Sequence, residues 1–539
     1  MSHYLRPGDG DGRRPLLHLQ TDEMDSDEGE IIFDRGTSYS NLEAIAHRRL
    51  TYEEAVEEAG FGLFHWLLLV VCGWANASDA VEILCVSFLL PTARCDLLLT
   101  SSDMGLLTAS IFLGMMVGGY MWGYLADQKG RCRVLVLSLT VNGVFGGLAS
   151  MAPSFWLFLL LRFISGIGVG GSIPVIFSYF SEFMPRLRRG TMISALATFW
   201  MAGNILAAGL AWLVIPRTWA HFFLGGLDFQ SWRLFVVLCS IPSLTSALLF
   251  KLVMPESPKF LMEAGQEREA LRVFRLMFEW NIRGKGKTFL EFGLRTSSKH
   301  KGELEETRTW QREHFIHVFK TGLAPVKQMF NGPLKSRSFA LLIIFYCISF
   351  SYYGLWMWFP ELFARVEDSG SPCANISRPS ALHNESCYPV KTKVYVEGFA
   401  IAASNLPGNI FTILSMDRMG GKALLCLSLL VSSLSVFFIY LVQTKSQSLF
   451  LSCVFSAVSV IAWNSLDVLG TELFPTQLRS SALGFFTGVG RVAAITGNIV
   501  FGKFVDTNCA VPILLVSSLL FTGGLVALLL PQTRQTELS

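Results

Sequence analysis

Twelve apolar runs, each about 18–28 residues long, dominate this sequence, and each can cross the roughly 30 Å hydrocarbon core of a bilayer as a helix. They lie near 64–91, 104–126, 134–152, 155–183, 191–215 and 233–253, and then near 338–363, 394–416, 422–442, 449–473, 481–504 and 511–530. Lipid offers no partner to a bare backbone N–H or C=O, so helices are the expected structure. The composition agrees: 51% of the 539 residues are hydrophobic and 16% charged, with a mean hydropathy of +0.45. So few charges cannot cover the surfaces of several soluble domains. A net charge of +3 gives no reason to expect nucleic acid, and the lipid bilayer is the expected partner.

The loops orient these helices. Lys129, Arg131 and Arg133 follow the second run, and Arg186, Arg188 and Arg189 follow the fourth. The first-half loops on the other side carry only Arg94 and Arg217, whereas the segment 254–337 is rich in Lys and Arg. Basic loops stay cytosolic, which puts both termini there. The loop 364–393 then faces a lumen or the exterior. It holds two glycosylation acceptors, Asn375 and Asn384, between Cys373 and Cys387, and so reads as a lumenal loop closed by a disulfide. Most other cysteines lie in apolar runs as packing residues.

The expected organisation is an acidic, disordered cytosolic tail (1–60), a six-helix bundle (61–253), a cytosolic linker (254–337), a second six-helix bundle (338–530) and a short cytosolic tail (531–539). In the first tail, Arg13-Arg14-Pro15-Leu16-Leu17 reads as a dileucine signal for sorting adaptors, with Asp11 one position off the usual spacing. Ser26, followed by Asp27, Glu28 and Glu30, reads as an acidophilic kinase site.

The chain repeats itself. Asp127-x-x-Gly130-Arg131 after the second run matches Asp417-x-x-Gly420-Gly421-Lys422 after the eighth. Glu182-x-x-Pro185-x-x-x-Arg189 matches Glu472-x-x-Pro475-x-x-x-Arg479. Both matches are offset by 290 residues. The fold class is therefore an all-α membrane protein of twelve transmembrane helices in two parallel six-helix repeats, the architecture of alternating-access carriers. An acid at a helix end, a proline and an arginine beyond it form an ion pair that can latch a half in one state. The alternative is simple capping and snorkelling.

Ionisable residues inside the runs are the strongest pointers to function. Asp79 and Glu82 in the first run share a helix face at i, i+3, and would line a polar cavity as a proton or cation site. The alternative is a structural ion pair with Arg162 or Arg491. Arg162 is a relay partner or a snorkelling residue. In Trp463-Asn464-Ser465-Leu466-Asp467 an aromatic and an acid share a face, which suits a cationic or hydroxylated solute. The alternative is a core tryptophan and a helix–helix bond. Arg491 balances Asp467 or Asp79, or meets an anionic group. Tyr352 and Tyr353, beside a glycine, are cavity candidates. No catalytic constellation, metal-ligand cluster or pore-lining ring appears, so neither an enzyme, a cofactor nor a channel is expected.

Several stretches resemble known proteins. "GYLADQKGR" (123–131), "PESPKFL" (255–261) and "ELFPTQLRS" resemble signatures of the major facilitator superfamily. "DAVEIL", "GIGVGGSIPVIFSYFSEF", "YYGLWMWFP" and "WNSLDVL" resemble the synaptic vesicle glycoprotein 2 family and its related-protein cousins, over nearly all of 52–533. The resemblance implies a glycosylated, transporter-like protein of a vesicle membrane. It implies a central cavity lined by Trp200, Tyr353, Trp463 and Asp467, with Tyr352 adjacent. The large lumenal domain of the vesicle glycoproteins is replaced here by residues 364–393 alone. The expected function is secondary transport of a small cationic or neutral polar solute, coupled to protons. The rival is a non-transporting membrane protein that regulates trafficking.

Overall fold

The computed structural model describes residues 49–219, 221–282, 293–294, 323–370, 390–442 and 444–531, without the side chains of Ser369, Asp417, Thr471, Thr476, Gln477, Arg479 and Ser480. The expectations for Arg13–Leu17, Ser26, Cys373, Asn375, Asn384 and Cys387, and for the side chains of Asp417 and Arg479, lie outside the described residues.

Among the described residues, twelve helices are long and apolar enough to cross a membrane. They are α1 (Leu63–Asp96), α2 (Ser101–Lys129), α3 (Arg131–Leu148), α4 (Phe155–Ser181), α5 (Arg189–Val214) and α6 (Ser231–Leu252). The second set is α7 (Lys335–Ser369), α8 (Thr392–Met419), α9 (Gly421–Leu441), α10 (Lys445–Glu472), α11 (Thr476–Phe504) and α12 (Ala510–Ala527). The tightest connections are single glycines, Gly130 between α2 and α3 and Gly420 between α8 and α9.

The packing repeats as the sequence does. In the first half α4 packs on α2 and α3, α1 on α5 and α6, and α3 on α6. Six helices later, α10 packs on α8 and α9, α7 on α11 and α12, and α9 on α12. The halves meet along a seam of α2 with α11, α5 with α8, and α1 with α7. Glycines set the closest approach: a Cβ on Gly105 would lie 2.8 Å from the Gly502 Cα. Only bare backbones allow α2 and α11 to touch there.

Two expectations need correction. The stretch 1–60 does not stay irregular to its end, because Tyr52–Glu58 is a helix. A capping box of Thr51 and Glu54 starts it, and its apolar face buries Ala55 and Val56 completely. The loop expected over 364–393 also begins late, since α7 continues to Ser369 and keeps Arg365 on a helix. Arg365, which ended the apolar run, is satisfied by protein neighbours instead of by water.

Candidate functional site: the seam between the halves and its two ends

One end of the bundle carries the Asp127–Arg131 motif and the Glu182 corner, and is called the motif end below. Arg131 bridges Asp127 (3.3 Å) and Glu182 (3.3 Å). The Ser257 hydroxyl also donates to the Glu182 carboxylate, and Tyr52 donates to the Glu182 carbonyl. The expected Glu182–Arg189 pair is not formed. Arg189 instead binds Glu53 of the Tyr52–Glu58 helix at 3.1 Å, because Arg131 and Ser257 already occupy Glu182. In the second half Glu472 is exposed.

Burial pushes the Glu182 carboxyl above its ordinary range, against the pull of Ser257 and Arg131. An acid whose folded-state pKa is raised ionises first in the unfolded chain. Its contribution therefore favours folding below the ordinary glutamate value and is lost as pH rises towards the folded value. Glu182→Gln should flatten that part of the curve of melting temperature against pH in the mildly acidic range. Superimposable wild-type and variant curves would contradict this reading of the corner.

Asp79 and Glu82 do share a face of α1, but that face points into the first half. Asp79 accepts from Ser172 of α4 (2.6 Å) and Asn142 of α3 (3.3 Å), and Asn142 also donates to Ser243 of α6 (3.0 Å). Glu82 pairs with Arg162 at 2.9 Å, and the same guanidinium donates to the Glu82 carbonyl at 2.7 Å. Asp79, Glu82 and Arg162 are each 0% exposed. The acids therefore sit in a sealed polar core between α1, α3, α4 and α6 and do not line the seam. Arg162 does not snorkel, and Arg491, half-buried on α11, pairs with neither Asp79 nor Asp467 among the described residues. A Cβ on Gly146 would lie 2.9 Å from the Glu82 Oε1, so that carboxylate rests against bare α3 backbone.

The seam itself holds an aromatic cluster. Trp463 of α10 lies 6.1 Å from Tyr352 and 5.9 Å from Tyr353 of α7, ring centre to ring centre. Tyr352 stacks on Trp356 at 5.4 Å. Phe112 of α2 closes the cluster from the first half, 5.1 Å from Tyr353. The buried Trp463 indole N–H has no hydrogen-bond partner among the described residues. Asn464 donates to Asn409 of α8 at 2.9 Å. Asp467, one helical turn nearer the motif end, is exposed. Trp200 of α5 is partly buried against the common core, with no ring contact to the cluster. Sequence reading missed Phe112 and Asn409, which look like ordinary members of an apolar helix. An unsatisfied indole N–H, amides and a carboxylate around aromatic faces can hold a small polar or cationic molecule.

At the opposite end the halves are clasped together. Arg365 is 1% exposed and binds Glu361 (3.0 Å) and Asp506 (2.7 Å), and donates to Ser101 of α2 (2.9 Å). Arg94 of α1 reaches Glu361 at 3.5 Å. Thr92 bonds the Tyr395 hydroxyl at 2.5 Å, and Ser87 donates to the Met357 carbonyl at 2.8 Å. Among the described residues, the hydrogen bonds and ion pairs that cross between halves all lie towards this end. Cys95 and Cys509, also at this end, each take part in a disulfide. None of this clasp was foreseen, since Glu361 and Arg365 appear in sequence only as the edge of an apolar run.

A body of twelve membrane helices in two matching halves, clasped at one end of a polar seam, is a transporter fold. The chain belongs to the Major Facilitator Superfamily, whose family model matches residues 67–498. Within it the chain belongs with the synaptic vesicle glycoprotein 2 proteins. It is 32% identical to synaptic vesicle glycoprotein 2C of Rattus norvegicus, over 90% of this chain and 80% of that protein. It is 32% identical to synaptic vesicle glycoprotein 2B of Homo sapiens, over 92% and 87%. Among solved structures, the xylose transporter from E. coli in a partially occluded inward open conformation is similar in fold, with a TM-score of 0.62 and 17% identity over 88% of this chain and 99% of that one.

Proposed function

We propose that the protein is a secondary transporter of a small neutral polar or cationic solute, held at the seam by Tyr352, Tyr353, Trp463, Asn464 and Asp467. The observation that carries this reading is the unpartnered Trp463 indole N–H within an aromatic cluster beside an exposed carboxylate. Trp200 and Arg491 would join the site as the halves move. The motif end faces the cytosol of a vesicle-bearing cell. Its loops carry Lys129, Arg131, Arg133, Arg186, Arg188 and Arg189, and disulfides occupy the opposite, oxidising side. On that orientation the described state is closed to the lumen and open to the cytosol. The Glu82–Arg162 pair, with Asp79 beside it, couples transport to protons. Protonating Glu82 would free Arg162 and loosen α1 from α4, a local charge change that biases a two-state packing.

Proteoliposomes loaded under a pH gradient test this with labelled neutral sugars and small organic cations. At least one class should accumulate. Trp463→Ala should reduce that uptake about tenfold or more, as expected for loss of an aromatic anchor worth ~1.5 kcal/mol or more. Glu82→Gln should remove the dependence on the gradient while leaving solute exchange. Uptake indifferent to Trp463→Ala would refute the assigned site. Absence of uptake and of solute binding would favour a non-transporting regulator of trafficking. The observation supporting that second reading is the Tyr52–Glu58 helix, which connects the tail to the Glu182 corner.

A further inference from the structure

The chain between α5 and α6 folds into a two-stranded antiparallel hairpin, β1 (Phe222–Leu224) and β2 (Leu227–Phe229). Gly225 (φ +56°) and Gly226 (φ +86°) form its turn. Two consecutive residues with positive φ match the twist of a tight hairpin, and glycine adopts that conformation without strain. Phe222 pairs with Phe229 across the strands, with stacked rings 4.5 Å apart, and Phe229 is buried. So short a hairpin is marginal alone, and this one runs directly into α6 at Ser231.

Its outer surface has no such cover among the described residues. Phe223 is 79% exposed and Trp219 68%, with Phe222 and Leu224 about half exposed. Left in water, each large side chain forgoes the hydrophobic stabilisation that further burial would bring. Leu213, in the last turn of α5, is also exposed. The chain leaves one membrane helix at Val214 and enters the next at Ser231, so the hairpin stands at the level of the lipid headgroups. Polar groups are interleaved with the rings: Arg217 is exposed, and His221 lies 3.6 Å from Asp228. Aromatic rings mixed with charges are the composition of a membrane interface and not of the hydrocarbon core.

We infer that this hairpin is an interfacial anchor, with Trp219 and Phe223 seated among the phospholipid headgroups of the leaflet at the clasped end. It tethers the ends of α5 and α6 to the bilayer. Because α5 is also a seam helix, with Trp212 5.8 Å from Phe399 of α8, the tether gives the first half a fixed foot on that leaflet. The occupant is lipid, because the aromatic patch is carried on the segment that joins the ends of two membrane-crossing helices.

The test uses full-length protein in phosphatidylcholine liposomes. Phe223→Cys, and separately Trp219→Cys, is labelled with an environment-sensitive fluorophore, with Leu187→Cys at the exposed motif end as the aqueous reference. Lipids spin-labelled near the headgroup should quench most of the emission at 223 and 219, and aqueous iodide little of it; Leu187→Cys should show the reverse. Iodide quenching at 223 and 219 equal to that at 187 would overturn the anchor. So would protection from both quenchers, which would put protein over the patch, either a second copy if it varies with protein-to-lipid ratio or another part of this chain if it does not. Two labelling positions keep the outcome readable if one substitution disturbs the hairpin.

Discussion

Arg162→Leu lowers the stability of the purified protein by about 3–5 kcal/mol, the usual consequence of stranding one member of a buried ion pair. Glu82 and Arg162 are both 0% exposed, so neither partner can turn to water when the other is lost. The deletion also leaves the Glu82 carbonyl without its 2.7 Å donor. The double variant Glu82→Gln, Arg162→Leu should recover much of the loss, because removing both charges of a buried pair is often nearly neutral. Thermal or denaturant unfolding in detergent checks both. A loss within the ~0–1 kcal/mol typical of exposed pairs would mean that water reaches this core.

The second large effect belongs to the opposite end. Arg365→Ala removes two ion pairs within the second half, to Glu361 and Asp506, and the 2.9 Å bond to Ser101 that crosses to the first half. Glu361 keeps only the longer 3.5 Å contact with Arg94. The intra-half pairs are lost from both states, whereas the Ser101 bond, a hydrogen bond to a charged group worth about 1.5–3 kcal/mol, is lost from the clasped state alone. Each ~1.4 kcal/mol is a factor of ten in the balance between states, so the ratio of clasped to open protein should fall about tenfold or more. Ser87, 1% exposed beneath the clasp, reports on it. In a Ser87→Cys background, an impermeant thiol reagent applied from the Arg365 side should label the Arg365→Ala protein at least about tenfold faster. Equal rates would show that the clasp does not hold the halves.

Much of the architecture can be read from residues alone. Spans of 18 or more apolar residues admit one structure in lipid, and all twelve appear within a few residues of their expected limits. The 290-residue offset between the Asp127 and Asp417 motifs, and between the Glu182 and Glu472 corners, reappears as matching helix contacts in the two halves. The site was only partly legible. Tyr352, Tyr353 and Trp463 do come together, but spacing along one helix says nothing about which neighbour a face meets. Asp79 and Glu82 share a face as expected and yet turn into the first half, because Arg162, Ser172 and Asn142 supply their partners there. Glu182 and Arg189 look paired in sequence, but Arg131 of the preceding motif reaches the acid first. Glu361 and Arg365 were illegible because hydropathy counts a charge as an interruption, whether it meets water or a buried partner.

The central claim is that the two halves rock about the Tyr352–Trp463 seam, opening one end as the other closes. Distances between spin labels at both ends of one molecule test it most directly. Leu187 with Glu472 reports the motif end, and Leu98 with Lys391 reports the clasped end, all four being exposed. Introducing Arg365→Ala should lengthen the Leu98–Lys391 distance and shorten the Leu187–Glu472 distance in the same sample. Lengthening at the clasped end with an unchanged distance at the motif end would mean that a clasp opens on a static body, and the alternating carrier would be wrong.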